Sequence, residues 1–137
     1  MITILITQTM QVFMMHKYKG FIFTLFLLTS FTYAQAKVYL VSVGITDYPG
    51  TQMDLTFPAK DAQTITWLYS KNTDVEYRQL LNEKATVQNI TSATRTVFAK
   101  ANTNDIIVLF FSGHGYPGGF VAYDGDLTYS QVRKSMA

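Results

Sequence analysis

The 137-residue chain has no cysteine, only two histidines and only three prolines. Without thiols it can form neither a disulfide nor a thiolate metal site. With His114 the one histidine beyond residue 36, a zinc centre also lacks ligands. No basic run with interleaved aromatics marks a nucleic-acid surface. Charge is scarce and, away from the N-terminus, balanced. Lys17 and Lys19 are the only two of the eleven Lys and Arg residues ahead of Lys37, whereas all nine Asp and Glu lie beyond it. Nine cations then face nine anions, so the formal +2 of the whole chain belongs to its first segment.

That segment differs from the rest. Lys17 and Lys19 precede the apolar run from Phe21 to Leu28, and Ala34-Gln35-Ala36 sets two small residues at cleavage spacing. Residues 1–36 therefore read as a secretory signal peptide, with Met15 as an alternative start. The stretch between Lys19 and Gln35 falls short of the roughly 18 to 20 residues of a spanning helix, so no stable membrane span is expected once the leader is removed. Export to the periplasm, cell envelope or exterior follows. Residues 37–137 form a single domain, and the 48% hydrophobic content suits a buried core.

Within that domain, Lys37 to Ile45 is β-branched and almost continuously apolar, as expected of a strand covered on both faces. Asp47-Tyr48-Pro49-Gly50 ends it in a turn. Pro58 opens a helix whose apolar positions recur to about Tyr69. Val75 to Leu81 reads as a second strand. Val87, Ile90, Thr94, Val97, Phe98 and Ala101 form one helical stripe behind a Thr86 N-cap. Ile106 to Phe111, the most apolar run of the domain, reads as a central strand, and Phe120 to Tyr123 as a short one before an Asp124-Gly125 turn. Thr128-Tyr129-Ser130-Gln131 has capping-box spacing for a last helix. Strand, helix, strand, helix, strand predicts an α/β fold on a parallel sheet, with ligands at the carboxyl ends of the strands.

Two segments reach that edge: Thr46-Asp47-Tyr48 and Ser112-Gly113-His114-Gly115. From Gly113 to Gly118 the letters spell G-x-G-x-x-G, but no helix opens there and the position twenty beyond Gly113 is Arg133, not an acid. The nucleotide reading fails on context. His114-Gly115 with Gly118-Gly119 also echoes the glycine-rich oxyanion loop of α/β-hydrolases, whose G-x-S-x-G elbow does not follow before Ala137. A third reading takes His114 as a proton carrier able to activate a thiol, with small neighbours that let a substrate approach and the Gly115 N–H as an oxyanion donor. A lone surface-loop histidine is the bland alternative.

The run from Ile106 through Phe111 into Ser112-Gly113-His114-Gly115 resembles the strand-and-histidine motif of the caspase and metacaspase peptidases. Leu40 to Tyr48 is similar to the first strand of that family, and Leu55 with Ala59-Lys60-Asp61-Ala62 to its opening helix. Leu80 to Thr86 with Asn89-Ile90 is similar, more weakly, to the segment joining its second strand and second helix. The resemblance implies a caspase-like three-layer sandwich with a mainly parallel sheet, incomplete at its C-terminal side. It implies a cysteine-type endopeptidase acting on peptide or protein substrates without a cofactor. His114 then matches the catalytic histidine, Gly115 an oxyanion donor, and Asp61 an acid that binds a Lys or Arg side chain before the cut. Asp61 reads equally well as a solvated or helix-capping carboxylate. Asp124 and Asp126 imitate the calcium-binding acids of some metacaspases, though turn formation explains them as well.

One departure matters more than the matches. In caspases the nucleophilic cysteine follows the histidine by about 50 residues, and only 23 of the 137 residues follow His114. The expectation is the N-terminal portion of a catalytic domain, inactive by itself, whose missing C-terminal part is a partner. A non-catalytic caspase-like binding fragment and a truncated α/β-hydrolase stand as alternatives.

Overall fold

A computed structural model describes residues 36–72 and 74–136, so the leader predicted for residues 1–36 lies, but for Ala36, outside the described residues. Three strands, β1 (Val38–Gly44), β2 (Val75–Leu81) and β3 (Ile106–Ser112), form a parallel sheet in the order β2-β1-β3. Val38 pairs with Val75 on one side and Ile106 on the other, and the register holds without a bulge to Gly44 between Leu81 and Ser112. All seven residues of β1 are buried, as its uninterrupted apolar sequence requires of a central strand. Among the described residues no helix is long and apolar enough to cross a membrane.

Side-chain alternation sorts the two faces. Helix α1 (Pro58–Asn72) covers the face of Leu40 and Ser42. Tyr39, Val41 and Val43 point the other way, into a core with Ile90, Ala93, Val97 and Phe98 of α2 (Val87–Phe98). Helix α3 (Tyr129–Met136) packs on α2, and its Val132 joins that core. The result is the expected three-layer α/β sandwich. Leu40, Val41, Val43 and Ile45 are fully buried, each worth roughly 1.5–3 kcal/mol relative to exposure.

The α1 interface is polar at its centre and very close at one end. The Ala62 carbonyl accepts from the Ser42 hydroxyl (2.9 Å), the Thr66 hydroxyl (2.8 Å) and the Gln79 amide (3.3 Å), which ties the helix to β1 and β2. A Cβ on Gly44 would stand 2.8 Å from that of Ala62 and closer still to the Pro58 carbonyl, so only glycine lets the helix start against the end of β1. The Thr46 hydroxyl then accepts the Ala59 N–H at 2.9 Å. Glycine at the end of β1 thus brings the first turn of α1, and Asp61 with it, to the carboxyl edge of the sheet.

Beyond β3 a small antiparallel meander, β4 (Gly115–Tyr116), β5 (Gly119–Ala122) and β6 (Gly125–Thr128), leads into α3. The sequence shows only the β5 strand of these three, through its apolar Phe120-Val121-Ala122, because β4 has just two residues and β6 opens on Gly125-Asp126, which are poor strand formers. The capping box at α3 forms as expected: Thr128 Oγ1 accepts the Gln131 N–H at 3.2 Å, and Gln131 Oε1 accepts the Thr128 N–H at 2.8 Å. Thr86 likewise caps α2 by accepting from Asn89 N–H at 3.1 Å. Both β2 and β3 are sheet edges among the described residues, and β3 is the apolar one, with Ile106 and Ile107 52% and 44% exposed.

Candidate active site

The loop after β1 is held by two anchors. Asn82 adopts a left-handed conformation (φ 47°), which asparagine tolerates better than most residues, and its side-chain oxygen accepts the N–H groups of Thr46 (2.9 Å) and Asp47 (3.3 Å). Asp54 accepts the Tyr48 N–H at 3.0 Å. Together they turn the Tyr48 side chain inward, where it is only 4% exposed. Between these anchors a single 3₁₀ turn, Thr51–Met53, sets the Met53 carbonyl.

The Tyr48 hydroxyl accepts the backbone N–H of His114 at 3.0 Å and donates to the Val121 carbonyl at 3.1 Å, while the Val121 N–H reaches the His114 carbonyl at 2.9 Å. His114 and Val121 continue the register that pairs Gly115 with Phe120. In a plain antiparallel ladder they would exchange two bonds. Here one of the two is split by an inserted phenol. Burial raises the Tyr48 pKa, and its bond to the His114 backbone partly offsets this. Gly113 leaves the space for the phenol, since a Cβ there would stand 2.7 Å from the hydroxyl oxygen.

The same alternation decides where the Gly115 amide points. His114–Val121 is a hydrogen-bonded pair, so Gly115–Phe120 is the wide pair, and the Gly115 N–H turns away from β5. Gly115 is exposed. It presents a backbone donor to solvent beside the histidine.

The imidazole itself is oriented by two contacts. Its ring packs 5.1 Å from the Tyr48 ring at 51°, and Nε2 lies 2.8 Å from the Met53 carbonyl oxygen. A carbonyl can only accept, so Nε2 carries the proton and the neutral ring keeps its lone pair on Nδ1. No hydrogen bond engages Nδ1 among the described residues. A base with a defined free nitrogen and a backbone acceptor behind it can take a proton and keep its orientation once charged.

Asp61 lies at the same edge. Its Oδ2 accepts the Ser112 hydroxyl at 3.0 Å and its carboxylate is exposed. Ser112, two residues before His114, is thereby committed to the loop. Asp61 makes no hydrogen bond to His114 among the described residues, so the structure brings the acid beside the histidine loop without coupling the two. Asp124 has a structural task, accepting the Val87 N–H at 2.8 Å at the start of α2, and Asp126 pairs with Val121 in the β5–β6 ladder. Among the described residues no group of three or more His, Asp or Glu could hold a metal.

Thr46-Asp47-Tyr48 is expected at this edge, but the bridging role of the Tyr48 hydroxyl and the parts played by Met53, Asn82 and Val121 are not read from the sequence. Asp47-Tyr48-Pro49-Gly50 signals a turn, but the reach of a side chain from that turn to a loop 66 residues on leaves no local pattern.

A parallel sheet between helical layers, with the histidine loop, the Gly115 amide and Asp61 gathered at its carboxyl edge, defines the chain as an α/β domain. The family model of the caspase domain matches residues 37–136, and the chain belongs to that family, a family of cysteine peptidases. None of the curated proteins compared with the chain matches it.

Proposed function

We propose that this chain is the histidine-bearing part of a caspase-like cysteine endopeptidase, with the thiol supplied from beyond these residues. The observation that carries the reading is the His114 ring, fixed on the Met53 carbonyl through Nε2 with Nδ1 open. In the complete domain Nδ1 takes the thiol proton and the thiolate attacks the scissile carbonyl carbon. The oxyanion accepts from the Gly115 N–H and the nucleophile's own N–H. His114 returns the proton to the leaving amine, and water, deprotonated by the same nitrogen, hydrolyses the acyl-enzyme. Asp61 sits to receive a Lys or Arg side chain ahead of the cut. The leader delivers the domain to the cell envelope or exterior.

The 137-residue chain has no thiol and is expected to cleave nothing. Reading the coding sequence past Ala137 for D-x-C-x-[SA]-G, then expressing the extended chain, tests the proposal. Cleavage of Lys or Arg reporter peptides by the extension, lowered about 10²- to 10⁴-fold by His114→Ala, is the expected result. Cleavage that survives His114→Ala, or activity of the 137-residue chain alone, overturns it.

A further inference from the structure

The cations of the domain are unevenly matched. Lys37 and Lys100 both pair with Glu76, and Asp105 accepts the Lys37 and Asn102 N–H groups. Arg78 and Lys84 have no carboxylate partner among the described residues, and both are exposed. These two cations line one groove of about 490 Å³ between β2 and α2.

Its walls are differentiated. The floor is apolar, made by Leu80, Ala93 and Val97, each under 9% exposed. On the α2 side Asn89, Ser92 and Thr96 fall at helical spacing and present polar groups. Asn89 and Thr96 donate to backbone carbonyls, whereas the Ser92 hydroxyl has no partner among the described residues. The other wall is the edge of β2 that pairs with no strand among the described residues. The Val38 N–H bonds the Asp74 carbonyl, so the alternation of a parallel ladder turns the backbone groups of Glu76, Arg78 and Leu80 toward β1 and those of Tyr77 and Gln79 outward. Sheet edges are commonly blunted by a proline, a bulge or charged side chains. β2 has no proline or bulge and runs seven residues in unbroken register; of its two charges, Glu76 is paired with Lys37 and Lys100, and Arg78 is exposed.

We infer that this groove binds an extended acidic peptide, which adds to β2 as a further strand and sets carboxylates against Arg78 and Lys84. The outward amides supply main-chain bonds, and alternate side chains of the added strand fall on the α2 face, where the cations are. Arg78 lies on β2 and Lys84 in the turn that follows it, so the two cations are set along the direction of the strand. An added strand follows that direction at ~3.3 Å per residue. Glu83, in the adjoining hollow with Lys84, sets the limit of the acidic register at that end. The groove lies at the β2 edge, with β1 between it and the histidine loop on β3, so binding there does not depend on cleavage.

The test is a titration of the isotope-labelled full chain, followed by amide NMR. The probe is a capped octapeptide of Thr and Val with Glu at its third, fifth and seventh positions. Shifts at Tyr77, Gln79, Ser92 and Thr96 are expected. Replacing Glu by Gln in the peptide, or Arg78→Ala with Lys84→Ala in the protein, should weaken Kd about tenfold, the range two part-exposed ion pairs allow. Complete N-methylation of the peptide should abolish binding. Both protein substitutions are exposed, and an unchanged melting curve confirms that the fold persists. Equal binding of the Gln or N-methylated peptide overturns the inference. So do shifts confined to the β3 edge, or tighter binding of inorganic phosphate or a short single-stranded RNA than of the peptide.

Discussion

The hydroxyl of Tyr48 stands between the His114 N–H and the Val121 carbonyl, in the place of a ladder bond. The backbone of the histidine is therefore fixed by a side chain from the loop after β1, the loop that also carries the Met53 carbonyl. Tyr48→Phe removes both bonds and leaves a buried donor and acceptor facing each other. A loss of about 1–3 kcal/mol is expected in denaturant unfolding. Imidazole ¹⁵N shifts should show the Nε2–H form of His114 losing population. A variant equally stable with an unchanged tautomer would mean that the two strands close their own bond without the phenol.

Gly44 and Ala62 meet where a side chain has no room. Gly44→Ala forces α1 away from β1, at a cost of about 1–3 kcal/mol as overpacking. Because the same displacement moves Asp61 from Ser112, the variant should also loosen the Ser112 loop in hydrogen exchange. Gly50→Ala meets no atom within 4 Å but sits at φ 82°, so any cost there is conformational alone.

The sheet and its helices were legible because long apolar runs and helical stripes encode burial directly. β1 is predicted and found as a strand buried on both faces, and Thr86 and Thr128 cap the helices they precede. His114 and Gly115 are expected after a strand end, and Asp61 only through the family resemblance, and the structure sets all three at the carboxyl edge. The parts not legible are backbone groups and long-range supports. Met53 contributes a carbonyl, which any residue possesses, and Asn82 works through a positive φ far from the loop it holds. β4 has only two residues, and β6 opens on Gly125-Asp126, which read as a turn rather than a strand.

Ile107 presents an apolar side chain at 44% exposure on an edge strand with no charged residue between Ile106 and Ser112. Exposed apolar edges template pairing with other chains. The 137-residue chain should associate with rising concentration in sedimentation velocity, and Ile107→Lys should shift it toward monomer. A monomer at all concentrations that melts cooperatively would show that the edge is covered.

Ser112 holds the Asp61 carboxylate by a hydroxyl rather than a cation, so the acid keeps its charge available. In a thiol-bearing extension of the chain, Asp61→Asn should raise KM for Lys and Arg reporters about tenfold with little change in kcat, as loss of uniform binding does. Ser112→Ala should have a smaller effect in the same direction. A selective loss of kcat instead would place Asp61 in the chemistry rather than in substrate binding.

Stability should fall on both sides of neutrality for separate reasons. The Lys100 ammonium beside Glu76, and the Asn102 and Lys37 N–H groups on Asp105, hold both carboxyls below their ordinary values. A carboxylate with a depressed folded-state pKa contributes stability above its unfolded value, and this is lost as pH falls through the folded one. The acid limb should thus begin near pH 4 and continue below it. Glu76→Gln should reduce its depth, though both groups are part-exposed and the change is modest. On the alkaline side Tyr48 is raised by burial and Lys100 by its bond to Glu76. Groups raised in the fold contribute fully below their unfolded values and lose that contribution as pH climbs through the folded ones, here above about 10. A Tyr48 phenolate can no longer donate to the Val121 carbonyl, although it still accepts the His114 N–H, so its ionisation breaks the β5 side of the bridge. Unfolding free energy measured from pH 9 to 11 should therefore drop less steeply in Tyr48→Phe than in the parent chain, and parallel curves would show that the phenol remains neutral throughout.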